Sequence, residues 1–402
     1  MNFSEIKNYC DRRSKISADV IDVHLLYYAA DCEKFVPYMD AQIKKYKQAS
    51  RELHPSSLNI FKSEFIAHRL FKKDGLVHRY LQHSEIKKLP AEQFEFLQAN
   101  AAKPWRYCFA QLLENAENEF FKMLDVFTGE EFLLYSRSIQ QTLREMNPRL
   151  WFLLISDNGM CCQTFGMVVP LNSFLPDDIY FFGTEINPDI DSDEKLMNEV
   201  EKNPFPFFML SMASSHPIVR SNDHEMRIYL AYDDDLNVDA RILEKDFEID
   251  FRDGVYKLAL RNLSELPHFA IAYYDTHENS LLRTAFTADG FYQLTAVLEN
   301  IGLALNEDPE ISVSPTMINT AGKILNKKIQ YNPFDKLFAN DKNQGKDEAL
   351  KKVNQFTQKL VLEINSGKEI DIKKLADEAG IEEKTANQLY TDLKETLGRT
   401  KG

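Results

Sequence analysis

Between Leu375 and Leu397 the chain reads LADEAGIEEKTANQLYTDLKETL, and this spacing dictates a particular local architecture. A small residue, Ala376, falls where two helices would touch. Gly380 falls at the turn between them, and Ile381, Ala386 and Leu389 continue an apolar stripe. This is helix-turn-helix spacing, although small helical domains that only pack or bind protein share it. The second helix would turn Lys384, Asn387, Gln388 and Thr391 outward, side chains able to reach base edges, phosphates or polar groups of a protein partner. Just upstream, Leu350, Val353, Phe356, Leu360, Val361 and Ile364 form one stripe that Gly367 can close, so the tail reads as three helices.

Charge narrows what such a tail can contact. The whole chain of 402 residues carries a formal charge of −14, which disfavours broad attraction to nucleic acid or anionic membrane. Eleven basic and eleven acidic residues from Gln344 to Gly402 leave the tail neutral, so Met1–Asn343 carries the excess. The five cysteines, Cys10, Cys32, Cys108, Cys161 and Cys162, are odd in number and lack CxxC spacing. That usage predicts a reducing cytoplasm with neither a disulfide framework nor a thiolate metal site. Adjacent Cys161 and Cys162 in a strand would point to opposite faces, with one of them buried. The polar N-terminus lacks the apolar core of a signal peptide. The longest apolar run, Phe205–Ala213, is too short to span a bilayer, so no membrane association is expected.

The pattern predicts an α+β multidomain chain. Residues 1–117 read as a helical region and 118–186 as a small antiparallel β domain. Residues 187–339 read as an α+β domain, 340–346 as a linker and 347–402 as the three-helix tail. In the first β segment, Phe120–Phe127 and Glu131–Ser136 flank Thr128-Gly129-Glu130. Trp151–Ser156 and Met160–Val169 flank Asp157-Asn158-Gly159, where Asn-Gly predicts a type I′ hairpin turn. The second β segment contains runs at Met226–Tyr232, Phe247–Phe251, Val255–Leu260, Phe269–Tyr274 and Leu281–Phe286. A helix follows, with Phe291, Leu294 and Leu298 on one face.

Several constellations could carry chemistry. Asp233, Asp235, Asn237, Asp239 and Glu244 follow the count of a calcium loop, but Val238 replaces the turn glycine and a strand precedes it, which favours a solvated hairpin loop. His216, His224, His268 and His277, with Asp223, Glu225, Asp275 and Glu278, could assemble a metal-assisted hydrolase site in residues 215–280. No HxH or HExxH fixes their spacing. Ser214-Ser215-His216 is adjacent in sequence only. The pairs Asp177-Asp178 and Glu130-Glu131 read as solvated turn residues. The acids Asp189, Asp191 and Asp193 read as a connector leading into a helix whose first turn they complement. Aromatic runs such as Phe120-Phe121, Phe205-Pro206-Phe207-Phe208 and Tyr273-Tyr274 lack interleaved basic residues and read as core rather than a stacking platform.

Asp125, Thr128, Gly129 and Glu130 form a D-x-x-T-G-E turn, followed by a short helical stretch, Ser138–Met146, and a strand pair ending at Gly166. From about Phe71 to Gly183 this order resembles uncharacterised bacterial proteins related to those carrying a C-terminal SEC-C zinc motif. The cysteine-rich SEC-C tail is absent here. The resemblance implies a layout, with a helical region before a small β domain, and no activity.

The reading is therefore a non-catalytic cytosolic binding or regulatory protein whose tail docks onto nucleic acid or a protein partner, with no cofactor. A metal-assisted hydrolase and a self-associating scaffold are the alternatives. The polar stretch Asn340–Lys346 predicts that limited proteolysis cuts first near Asp341–Gly345 and leaves a resistant core ending before it, readable by mass spectrometry. Uniform resistance across that stretch would count against a separable tail.

Overall fold

The computed structural model describes residues 2–221, 223–236, 243–338, 356, 359–360, 371–381, 386–387 and 390, with only the backbone described at 23–24 and 26–28. The architecture is α+β. The chain divides into two compact units, Met1–Gln330 and Tyr331–Gly402. The linker read at 340–346 lies outside the described residues.

The first unit holds the helical region and both β segments around shared cores. Strand β1 runs from Arg106 to Glu117, inside the stretch read from sequence as helical. Its first half, Tyr107 to Ala110, is buried on both faces, so it shows neither the alternation of a half-exposed strand nor a helical stripe. The strands β2 (Phe120–Asp125), β3 (Glu131–Tyr135), β4 (Leu150–Asp157) and β5 (Cys162–Leu171) complete a closed barrel of order β1-β2-β3-β5-β4. Only β3 and β5 pair in parallel. Inside it pack Ala110, Phe121, Leu134, Trp151, Leu153 and neighbouring side chains.

The β4–β5 turn departs from the expected type I′ form. Gly159 has φ +92°, whereas Asn158 is not in the positive-φ region. The Asn158 side chain builds the turn instead: its Oδ1 accepts from the N–H groups of Met160 and Cys161, both at 2.9 Å. The Thr128-Gly129-Glu130 turn is likewise a structural unit. Fully buried Asp125 pairs with Arg106, which also reaches Glu130 Oε2 at 2.7 Å, while the Gly129 N–H donates to the Asp125 carbonyl at 2.9 Å.

Short strands β6 (Arg220–Ser221) and β7 (His224–Glu225) pair with each other. The second large sheet contains β8 (Ile228–Asp233), β9 (Phe247–Arg252), β10 (Val255–Leu260), β11 (Ile271–Asp275), β12 (Ser280–Ala285) and β13 (Ile311–Val313). Their order is β13-β8-β12-β11-β10-β9, antiparallel throughout. The three-residue β13 was missed from sequence because so short a segment carries no measurable period. Phe291, Leu294 and Leu298 of the Ala288–Asn300 helix pack on Ala231, Leu258, Ala272 and Leu281 of one sheet face.

Two buried ion pairs fix the frame. Arg227 Nη1 donates to Asp178 Oδ2 at 3.0 Å, and the Arg227 guanidinium also reaches the hydroxyl and carbonyl of Ser312. Asp178, in the first turn of the Pro176–Ile186 helix, accepts from the N–H groups of Leu175 (2.7 Å) and Ser314 (2.6 Å). Its sequence reading as a solvated turn carboxylate is therefore corrected: three donors converge on its two oxygens, partners that burial makes necessary. The second pair joins Arg283, fully buried, to Asp233 at 2.9 Å, with further bonds to Thr295 Oγ1 and the Asn306 carbonyl.

Arg227→Ala would strand the Asp178 carboxylate in the interior. The expected cost is about 3–5 kcal/mol, read as a lower urea midpoint at unchanged slope. A double replacement, Arg227→Met with Asp178→Asn, is expected to recover a large part of it, since no buried charge remains.

Candidate functional site

In the second unit, Asp371 caps the Ile372–Ala379 helix, its Oδ1 accepting from the Lys374 N–H at 3.0 Å. The helix ends at Gly380, φ +65°, a left-handed conformation that glycine adopts without steric cost. The Gly380 N–H returns to the Asp377 carbonyl (3.2 Å) and the Ile381 N–H to the Ala376 carbonyl (3.1 Å). These are the two bonds of a Schellman motif, which reverses the chain and presents the next residue to the core. Ile381 accordingly packs on a cluster of Phe356, Leu360, Ala376, Ala379 and Ala386. Lys359 pairs with Glu378 at 2.9 Å, and this bond holds the Glu378 carboxyl below its usual range.

Of the four side chains read as partner-facing, Asn387 lies in a helical segment and is exposed, next to the fully buried Ala386. Tyr390, four residues after Ala386, packs inward with it. Lys384, Gln388 and Thr391 lie outside the described residues.

The candidate hydrolase residues disperse. His224 and His268 approach each other, their rings 5.1 Å apart, but each has its own business. His224 Nδ1 faces Asp289 at 3.5 Å, and His268 Nδ1 bonds Thr287 Oγ1 at 2.7 Å, the residue that caps the Ala288–Asn300 helix. Glu225 takes a two-pronged contact from Arg149 at 2.7 and 2.6 Å. Asp275 shapes its own turn by accepting from the His277 N–H at 2.9 Å, and the His277 ring lies against Gly254. His216 sits apart, beside Asn172, whose Nδ2 donates to its carbonyl at 3.3 Å. Asp223 and Glu278 are exposed. Among the described residues no group of three His, Cys, Asp or Glu side chains is placed to hold a metal ion.

The calcium count, set aside on the sequence, also fails at its first position. Asp233, its first position, is buried against Arg283 and also accepts from the Asn306 N–H at 3.1 Å, so its oxygens are already committed. Asn237 and Asp239 lie outside the described residues. The aromatic runs are core: Phe205, Phe207 and Phe208 are all buried, and Phe61 stacks on Phe208 with centroids 4.2 Å apart.

Two arrangements escaped the sequence reading. One is a cleft of about 590 Å³ between the Phe3–Ser17 helix and the barrel, lined by Asp11, Lys15, Tyr135, Arg137, Gln163 and Thr164. The Phe3–Ser17 helix lies against the β2 and β3 side of the barrel. Phe3 meets Phe120 with centroids 5.0 Å apart, Asp11 accepts from Tyr135 at 2.7 Å and from Arg137 at 2.9 Å, and Lys7 pairs with Glu119.

The other is a buried polar cluster. Glu64 and His68, four apart on the Pro55–Phe71 helix, face β1 and β5. Glu64 Oε2 accepts from the Met167 N–H at 2.8 Å beside Gly166, φ +77°, where any side chain would collide with the carboxyl. His68 Nε2 bonds Glu201 Oε2 at 2.5 Å, and Glu201 Oε1 accepts from the Tyr107 N–H at 2.8 Å. The His68 Nδ1 atom has no hydrogen-bond partner among the described residues, while the Tyr107 hydroxyl lies toward the Glu64 carboxyl. The only sequence signal was a Glu and a His at helical spacing within an apolar run.

Burial pushes the Glu64 carboxyl up to about 8 and the His68 imidazole down, so both are neutral near pH 7. An acid whose folded pKa is raised holds its proton while the unfolded chain has lost it. Its contribution to stability therefore falls as pH rises from about 4.5 toward 8. Glu64→Gln keeps an acceptor for Met167 and cannot ionise. The expected result is that the loss of unfolding free energy between pH 5 and pH 8 shrinks by on the order of 3 kcal/mol relative to the parent chain, measured by urea titration at each pH.

No protein-family model, no curated protein and no solved structure matches the chain.

Proposed function

We propose that the chain is a non-catalytic binding or regulatory protein of the cytosol whose C-terminal helix-turn-helix-like module docks onto a macromolecular partner. The observation that carries this reading is the Schellman turn at Gly380 followed by buried Ala386 and exposed Asn387. That sequence of contacts is what a two-helix reader needs: a fixed turn, one face committed to the core and one face left outward. On helical spacing, the sequence alone would put Lys384, Gln388 and Thr391 on the same side as Asn387. The neutral balance of the tail, with acidic Glu382, Glu383 and Asp392 close by, favours a protein over a nucleic acid as partner. The free thiols at Cys10, Cys32, Cys108, Cys161 and Cys162 support a reducing compartment. No helix among the described residues is long and apolar enough to cross a membrane.

The test is a low-salt titration of the full chain against random-sequence DNA and RNA, beside a chain lacking 344–402. Salt-sensitive binding lost on that deletion would make nucleic acid the partner. Without such binding at high micromolar protein, Lys384→Ala with Gln388→Ala should release a protein partner captured by the parent chain. Its thermal unfolding should stay within about 0.5 kcal/mol of the parent. A deletion that changes no association of either kind would defeat the docking reading, and a loss of concentration-dependent mass alone would make the tail a self-association surface.

A further inference from the structure

Cys10 and Cys161 are 151 positions apart, yet their sulfurs lie 3.5 Å from each other in the interior. Cys10 is on the Phe3–Ser17 helix and Cys161 in the β4–β5 turn, so the contact joins two elements that only tertiary folding brings together. Asn158 Nδ2 is aimed at both, 3.3 Å from the Cys10 sulfur and 3.6 Å from the Cys161 sulfur. The same amide donates to Gln163 Oε1 at 2.9 Å, and Gln163 in turn donates to the Cys10 carbonyl at 3.2 Å. These bonds hold the helix, the turn and both sulfurs in one register. Ile6, Phe120 and Tyr135 pack around the pair.

We propose that Cys10 and Cys161 form a redox-modification site: a dithiol that a hydroperoxide converts to a disulfide, stapling the N-terminal helix to the barrel. Cys161 is the entry point, because it borders a cleft of about 240 Å³ together with Gly159, Met160 and Cys162, whereas Cys10 is fully buried. The Cys161 sulfur attacks the terminal oxygen of the hydroperoxide. The O–O bond breaks, the alkoxide leaves with one thiol proton as an alcohol, and Cys161 becomes a sulfenic acid. The Cys10 sulfur then attacks the Cys161 sulfur. The S–O bond breaks and hydroxide leaves with the second thiol proton as water. Two thiols and one hydroperoxide give one disulfide, one alcohol and one water, and the two electrons reduce the O–O bond.

The geometry suits the second step, since the two sulfurs already lie 3.5 Å apart and must close to about 2.05 Å. The hydrogen bond between the thiols holds the Cys10 thiol below its usual range and pushes the Cys161 thiol up, so access to the cleft, not acidity, selects Cys161 for attack. Cys108, inside the barrel, is pushed well up by burial and has no such partner role.

The test uses the full chain, reduced and then treated with a few equivalents of hydrogen peroxide, quenched with a thiol-alkylating reagent and mapped by mass spectrometry. The expected result is a mass loss of about 2 Da before alkylation, reversed by dithiothreitol, with the peptides of Cys10 and Cys161 joined. The oxidised chain should also melt higher, by about 5 °C, because the link closes a long loop of the unfolded chain. In Cys10→Ala, Cys161 should instead gain about 32 Da as a sulfinic acid, having lost the thiol that resolves it. A Cys161–Cys162 link, links made chiefly through exposed Cys32, or over-oxidation of Cys161 in the parent chain would each overturn the proposal. So would a chain left unoxidised while a free thiol in the same tube is consumed. Should Cys10→Ala fail to fold, the peptide map of the parent chain decides alone.

Discussion

Phe207 is fully buried where three parts of the first unit meet, and the arrangement of that unit depends on the contacts it and its neighbours make. Its ring meets Phe109 of β1 edge-on at 6.2 Å and Phe182 of the Pro176–Ile186 helix at 5.5 Å. Two positions to one side, Phe205 meets Phe61 of the Pro55–Phe71 helix at 5.6 Å, and Phe208 stacks on the same ring. A five-residue helix, Pro204–Phe208, thus wedges barrel, N-terminal helices and the approach to the second sheet onto one aromatic core. Rings do this well, because each buries a large apolar area and pays little conformational entropy when two torsions are fixed. With the aromatic wedge in place, the helical region and the barrel share one core.

Apolar packing of this kind is tolerant of angle, and the buried polar groups supply the register that it leaves loose. Asp178 and Arg227 tie the helix after the barrel to β8 and to Ser312 and Ser314 at β13. Arg283 and Asp233 tie β12 to β8 and to the segment after the Ala288–Asn300 helix. Glu64 docks the Pro55–Phe71 helix into the irregularity of β5 at Gly166 and Met167, where β4 and β5 lose regular pairing. In each case a charged or ionisable group has been taken out of water. It is tolerable there only because several donors or acceptors converge on it, so a wrong packing would be heavily penalised.

The same reasoning separates candidate chemistry from architecture. His224, His268, Glu225 and Asp275 looked like a possible ligand set, yet each is spent on a local bond that caps a helix, braces a strand pair or shapes a turn. The N-terminal helix packs on the β2–β3 side of the barrel with apolar and paired charged contacts. In the tail, Asn387 is exposed beside the buried Ala386. A dithiol sits at the seam between N-terminal helix and barrel, where a covalent change would fasten the one to the other.

Local rules made much of this legible. The hairpin runs, the stripe of Phe291, Leu294 and Leu298, the buried aromatic runs and the turn glycine at Gly380 all follow from period, side-chain size and backbone freedom, which are properties of neighbouring residues. The first strand was illegible because a strand buried on both faces has no alternation, and β13 because three residues have no period. Nothing near Asp178, Asp233 or Glu64 in the chain reveals that an arginine or a backbone N–H arrives from 49, 50 or 103 positions away. The dithiol was illegible for the same reason, its two sulfurs meeting across 151 positions. The sequence by itself determined most of the helices and hairpin strands with an amphipathic period, where their apolar faces lie and where the tail turns. Only the tertiary structure decided which polar groups leave water and with whom they pair, because that choice depends on contacts between residues that no local pattern connects.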